Sequence, residues 1–220
     1  MRVFYLGFLL AITLLFSCRT LSYFESPNNL RNIEGTLYLR NGKTYKGKLI
    51  IETENAFSAP VRLFASEERK PMQFRLADVK SFQVGNNLYE LKEMRDGINL
   101  GRRLYFMKRL TPEASRIHLF EFSKKEMVNK TSVRHEPEFY LQLPDEKDDM
   151  VYAASSNTFV PHFEEKVSSM VHDCPTLAKK IANKKPGYFY AQVSLVREKR
   201  ADVLLRIIEE YNECGENAKR

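Results

Sequence analysis

The sequence predicts an α+β protein: an antiparallel β-sandwich or barrel followed by a small C-terminal helical segment. Three observations lead there. From Gly35 to residue 155 run about ten short stretches of β-branched, aromatic and aliphatic residues separated by turn formers, the pattern of an antiparallel unit. After Pro161 the apolar spacing lengthens to the threes and fours of a helix. Hydrophobic residues make up 43% and charged residues 29%, which is enough to build a core and solvate its surface.

The amino terminus comes before this unit. Met1-Arg2 gives a positive start, and Val3 to Phe16 is apolar apart from Gly7 and Thr13. A helix of that length is about 21 Å long, against about 30 Å for the hydrocarbon core of a bilayer. The run is short for a span and has the length of a secretory signal's apolar region. It closes on Leu15-Phe16-Ser17-Cys18. An aliphatic residue, a loosely chosen one, a small one and then Cys resembles the lipobox of bacterial lipoproteins. The resemblance rests on these residues alone. It implies that residues 1–17 are a signal peptide and that the Cys18 thiol carries a diacylglycerol as the first residue of the mature chain. Residues 18–34 are then the lipidated Cys and a tether, broken at Ser26-Pro27-Asn28-Asn29. The implied partner is a membrane, held through the lipid anchor, since each buried methylene contributes about 0.8 kcal/mol.

The β-rich domain is expected over 35–155. Thr36 to Glu52 holds two runs joined by Asn41-Gly42, a pair that tolerates positive φ and favours a hairpin. Val61–Phe64, Met72–Leu76, Lys80–Val84 and Leu88–Met94 follow, the last two joined by a turn at Gly85-Asn86-Asn87. Then come Arg103–Arg109, Ile117–Ser123, Glu138–Leu143 and Val151–Ala154. In the third-from-last of these, Ile117 and Leu119 share one face and His118, Phe120 and Phe122 the other, so both faces are apolar enough to be covered. Pro60, Pro71, Pro112, Pro137 and Pro144 are expected at strand ends, where a missing N–H costs least. Periodicity leaves barrel and sandwich both open.

The helical segment is expected over 159–214. Phe163, Val167, Met170 and Val171 share a helical face. Pro175 opens a second helix, where a missing N–H is no loss. A third runs to about Tyr211, with Val203, Leu204, Ile207, Ile208 and Tyr211 on one face and Gly215 as the stop. Cys174 opens the second helix and Cys214 closes the third. If those helices form an antiparallel hairpin, the start of one meets the end of the other, and Cys174 and Cys214 are expected to form a disulfide. The chain has three cysteines, and the lipid accounts for the odd one, Cys18.

No catalytic residue is assigned, because the chain has no Gly-x-Ser-x-Gly, His-Glu-x-x-His, phosphate loop or Gly-x-Gly-x-x-Gly. No cofactor is expected. His172-Asp173-Cys174 brings three ligand types together, but helical neighbours point about 100° apart and no second pair has zinc spacing, so no metal is expected. His118 is expected on a strand face, and His135 and His162 in loops. Basic residues outnumber acidic ones by 21 to 18 over 33–155 and by 11 to 9 over 156–220. The net charge of +7 is therefore spread thinly, and no nucleic-acid partner is expected.

With Cys18 as the shared residue, the chain resembles β-rich lipoproteins of the Gram-negative envelope. That implies a location in the cell envelope, anchored to a bacterial membrane and facing the periplasm, with an envelope protein or glycan as partner. The expected role is a non-enzymatic binding or scaffolding module. The alternatives are an envelope hydrolase with a carboxylate or His site in the β domain, and an apolar-ligand carrier.

Overall fold

The structure, a computed structural model, describes residues 21–54, 59–65, 70–94, 103–127, 129, 132–143, 149–154, 162–190 and 197–217. The expected signal peptide and Cys18 lie outside these residues. The strands are β1 (Tyr23–Ser26), β2 (Asn29–Leu39), β3 (Thr44–Glu52), β4 (Val61–Phe64), β5 (Met72–Phe74) and β6 (Val79–Val84). They continue with β7 (Asn87–Met94), β8 (Arg103–Arg109), β9 (His118–Met127), β10 (Val133–Gln142) and β11 (Met150–Ala153). Helices α1 (Phe163–Met170), α2 (Pro175–Ala182) and α3 (Arg197–Asn217) follow.

One sheet joins all eleven strands, and its second half closes. Strands β7 to β11 are successive antiparallel neighbours, and β11 returns to β7 in parallel, Met150 opposite Glu93 and Val151 opposite Met94. The interior of this five-stranded barrel takes a residue from every strand: Met94, Met107, Phe120, Tyr140 and Val151. The first half, β2 to β6, stays open and buries Leu37, Leu49, Leu63, Val79 and Phe82. Tyr89 and Leu91 of β7 and Phe106 of β8 complete that second core. Strand β7 thus serves both cores, one with each face, as a period of two allows. Barrel and sandwich were alternatives in the sequence; the fold is a closed barrel extended by a curled sheet.

The expected turns form. At β2–β3 the Gly42 N–H donates to the Leu39 carbonyl at 3.1 Å, and Gly42 has φ +83° while Asn41 stays out of the left-handed region. That is the geometry of a hairpin with a bulge. At β6–β7 Gly85, at φ +55°, is the first of two turn residues between the paired Val84 and Asn87.

Helices α1, α2 and α3 cover the outer face of β9 and β10. Phe163, Val167, Leu177, Ile181, Leu204 and Ile208 meet Ile117, Leu119 and Leu141 there. Phe120 and Tyr140, one residue out of phase, point into the barrel. Strand β9 is therefore covered on both sides, as its successive apolar positions predict.

Three expectations change. Residues 23–34, expected within the tether, are strand: β1 and the first half of β2 pair antiparallel, and Ser26-Pro27-Asn28-Asn29 is the turn between them. Leu30 and Ile33 are three apart because the strand is bulged at Asn32, so the segment has no simple alternation to read. Strand β10 begins at Val133 instead of Glu138, so His135 lies on a strand and Pro137 inside one. Around Pro137 the strand has β9 as its neighbour while β11 reaches only Tyr140 and Leu141, so an absent N–H has no second ladder to break. Finally, α3 continues through Gly215 to Asn217. A glycine costs a helix only about 1 kcal/mol, and Cys214 is tied down just before it.

The β1–β2 turn is wedged between β8 and β9. Those strands pair only at Lys108–Glu121 and Arg109–Phe120 before they diverge. In the gap the Asn28 Nδ2 donates to the Phe106 carbonyl at 3.0 Å, and the Phe106 N–H donates to Asn28 Oδ1 at 2.8 Å. A side-chain amide stands in for a strand partner, which satisfies backbone groups that would otherwise be buried unpaired. The Thr53 hydroxyl also donates to Asn28 Oδ1, at 3.3 Å.

Candidate functional site

The site grows from the alternation of β7. Tyr89 and Leu91 enter the open sheet's core, which turns Glu90 and Lys92 to the barrel side. Lys92 is 4% exposed. A buried ammonium needs acceptors for its hydrogens. Its Nζ lies 2.9 Å from Glu90 Oε2, 2.9 Å from Gln142 Oε1 and 3.6 Å from Asp149 Oδ1. It also sits 4.7 Å from the centre of the Phe120 ring, over its face.

The charges continue on both sides. Arg40 pairs with Asp149 at 2.6 Å, Arg109 pairs with Glu90 at 2.7 Å, and Glu113 lies 4.0 Å from Arg109. Arg40, Asp149, Lys92, Glu90, Arg109 and Glu113 thus form a chain of alternating sign from the end of β2 to the β8–β9 loop.

An open groove of about 550 Å³ runs beside this chain. Register explains its wall. Tyr38 of β2 is opposite Ser81 of β6, and Ser81 is opposite Glu90 of β7, so the three stand in a row across the sheet. The Tyr38 hydroxyl donates to Gln83 Oε1 at 3.0 Å. Arg40, Lys80 and Arg109 also border the groove, with Glu113 and Thr44. Lys80 has no ion pair among the described residues. Each of the two bordering carboxylates has Arg109 beside it and Arg40 is held by Asp149, so Lys80 is the cation added to the charged chain.

His118 lies behind the groove at the start of β9. Its Nδ1 is 3.5 Å from the Thr111 hydroxyl, which accepts the Leu119 N–H at 3.2 Å. Burial pushes the imidazole pKa down from 6.5; Glu90 opposes that, and Arg109 and Lys92 add to it. The ring is neutral at neutral pH. Thr111 is 5% exposed and stands near the start of the β8–β9 loop. The groove offers charges, hydroxyls and an amide for holding a polar molecule.

The expected cysteine pair comes together. Cys174 and Cys214, 40 residues apart, have Cα atoms 6.1 Å apart and sulfurs at bonding distance. The start of α2 meets the end of α3, as the helix order predicts. The surroundings reinforce the joint. Arg116 lies 3.7 Å over the Tyr211 ring and pairs with Asp173. The Tyr211 hydroxyl donates to Asp173 at 2.8 Å, and burial together with that carboxylate pushes its pKa up to about 12. Asp173 is thereby engaged by an arginine and a tyrosine. His135 faces Glu25 at 3.2 Å and Ser123 at 3.2 Å, and His162 precedes α1 in a left-handed conformation.

The charged chain is what the sequence did not disclose. Its members come from β2, β7, β8, the β8–β9 loop and the residue before β11. A signal did exist: Glu90 and Lys92 occupy one face of a strand whose other face is Tyr89 and Leu91, and a central strand has little room for solvated charge. Comparison of the chain with protein-family models, with curated proteins and with solved structures found no match.

Proposed function

We propose that the chain is a lipid-anchored protein of the bacterial cell envelope whose β domain binds a polar envelope component without turning it over. The observation that carries the anchor is Leu15-Phe16-Ser17-Cys18 closing a fourteen-residue apolar run. The bonding distance between Cys174 and Cys214 supports it, because disulfides persist in oxidising compartments such as the periplasm. Among the described residues no helix is long and apolar enough to cross a membrane, so the acyl chains carry the attachment in this reading. Palmitate labelling of the membrane fraction with intact-mass measurement tests it. The wild type incorporates palmitate and starts at Cys18; Cys18→Ser does neither. A mature chain that begins at Met1, or lacks acyl mass, overturns the reading.

The groove's chemistry favours an anionic glycan as the bound component. Lys80 supplies positive charge with no counter-ion among the described residues, beside Arg40 and Arg109, whose charges are shared with Asp149, Glu90 and Glu113. Tyr38, Thr44 and Ser81 bring hydroxyls to its lining. Both carboxylates are already held beside Arg109, which suits binding better than acid–base catalysis. Calorimetric titration of the acylated protein in detergent with a uronic-acid oligosaccharide is expected to give saturable heat. Lys80→Glu is expected to weaken binding about tenfold, the loss of one charge-assisted contact. No heat in the wild type, or equal affinity in the variant, rejects the groove as the binding site.

A further inference from the structure

Among the described residues three large apolar side chains are left well exposed, Leu21 at 75%, Met127 at 77% and Val133 at 44%, and a fourth, Phe24 at 39%, packs part of its ring on Tyr89. They fall on two pieces of the fold only. Leu21 and Phe24 belong to the first described residues and β1. Met127 and Val133 face each other across the tip of the β9–β10 hairpin, as the register requires. The two pieces touch: Glu25 lies 3.2 Å from His135 and 3.7 Å from Lys125, the second pair inward from Met127 and Val133. The hairpin leaves the barrel here because Asn28 occupies the place beside β8.

Where the chain comes from adds a constraint. Because β1 starts at Tyr23, only five residue steps separate it from Cys18, no more than about 17 Å of extended chain. A domain held that close to acyl chains must turn one face toward the bilayer. Among the described residues beside that end, the cations have carboxylate partners: Lys125 is shared by Glu25 and Glu54, Lys124 pairs with Glu138, and Arg134 pairs with Glu136. Such a surface suits zwitterionic headgroups, with its apolar side chains reaching below them.

We propose that β1 and the outermost described pair of the β9–β10 hairpin, Met127 and Val133, form a second membrane contact, which rests on the bilayer beside the acylated cysteine and fixes the domain's orientation. This rests on the lipid-anchor reading. The chain contains no Trp, so Met127→Trp supplies a single indole at the tip, and Lys179→Trp supplies one on the exposed side of α2 as a distant control. Each variant, purified full-length and acylated, is reconstituted in phosphatidylcholine vesicles with brominated acyl chains. The tip variant is expected to show blue-shifted emission and to lose most of it to bromine quenching, while the control keeps its emission. Palmitate content is measured on the same samples. Acylated protein with an unquenched tip overturns the contact and leaves the anchor standing. A blue shift without quenching puts the tip inside a protein contact, such as a second copy, and also overturns it. Protein that is not acylated overturns anchor and contact together.

Discussion

His118 is half-buried at the start of β9, where it feels Arg109 and Lys92 as well as Glu90 and Glu113. Its pKa is lowered by burial first, so the unfolded chain takes up this proton at a higher pH than the folded one. The stability that depends on a neutral ring is complete above about pH 6.5 and is lost as pH falls through the lowered folded value. Urea midpoints at about pH 7.5 and about pH 5.5 are expected to fall with acid in the wild type and to fall less in His118→Gln. Asp173 and Glu25 respond in a more acidic window, since their carboxyl pKa values are held down by Arg116 and His135 respectively. An equal acid response in the variant would show that the imidazole is not the sensor. At this scale the sequence was legible for which face a residue takes and illegible for what covers that face. Alternation placed His118, Phe120 and Phe122 together, and Cys174 with Cys214 followed from helix order. Nothing in a single strand showed that Lys92 would be closed in by Gln142 and Asp149, fifty and more positions away.

The three helices show how a side-chain joint holds elements that share little backbone pairing. The Cys174–Cys214 link encloses 40 residues, and closing a loop of that size contributes roughly 4 kcal/mol in the chain-entropy model. Around it, the Arg116 N–H donates to Asn212 Oδ1 at 2.9 Å, and Asn212 donates to the Ser115 hydroxyl at 3.2 Å. The β8–β9 loop is thereby fastened to α3. Cys214→Ser is expected to cost up to about 4 kcal/mol in denaturant unfolding, with reductant lowering the wild type to a similar level. Unchanged stability in both cases would mean that the packing of Leu177, Ile181, Leu204 and Ile208 suffices alone. The helical faces were legible because Phe163, Val167 and Val171, or Leu204, Ile207, Ile208 and Tyr211, repeat at helical spacing. The end of α3 was not, because a glycine is a strong stop only where nothing else holds the next turn. Strand limits were obscured similarly: Pro137 marks an end in the sequence but sits on a stretch with a single neighbour.

For the molecule as a whole, β7 joins two cores, Leu91 lying in one and Met94 in the other. Loss of either core exposes one side of the same strand, so the barrel and the curled sheet depend on each other. The number of strands was largely legible because turns such as Asn41-Gly42 and Gly85-Asn86 punctuate them. Closure was not, since it depends on the return of β11 to β7 and on an amide at Asn28, and neither leaves a periodic trace. The Asn28–Phe106 pairing also has a temporal meaning. Synthesis delivers residue 28 well ahead of its partner, 78 positions later. Until that partner arrives, the leading hairpin has no seat, and non-local pairings of this kind are slow to close. The β1–β2 turn therefore takes its final place only after β8 has been made, although it precedes β8 by most of the sheet.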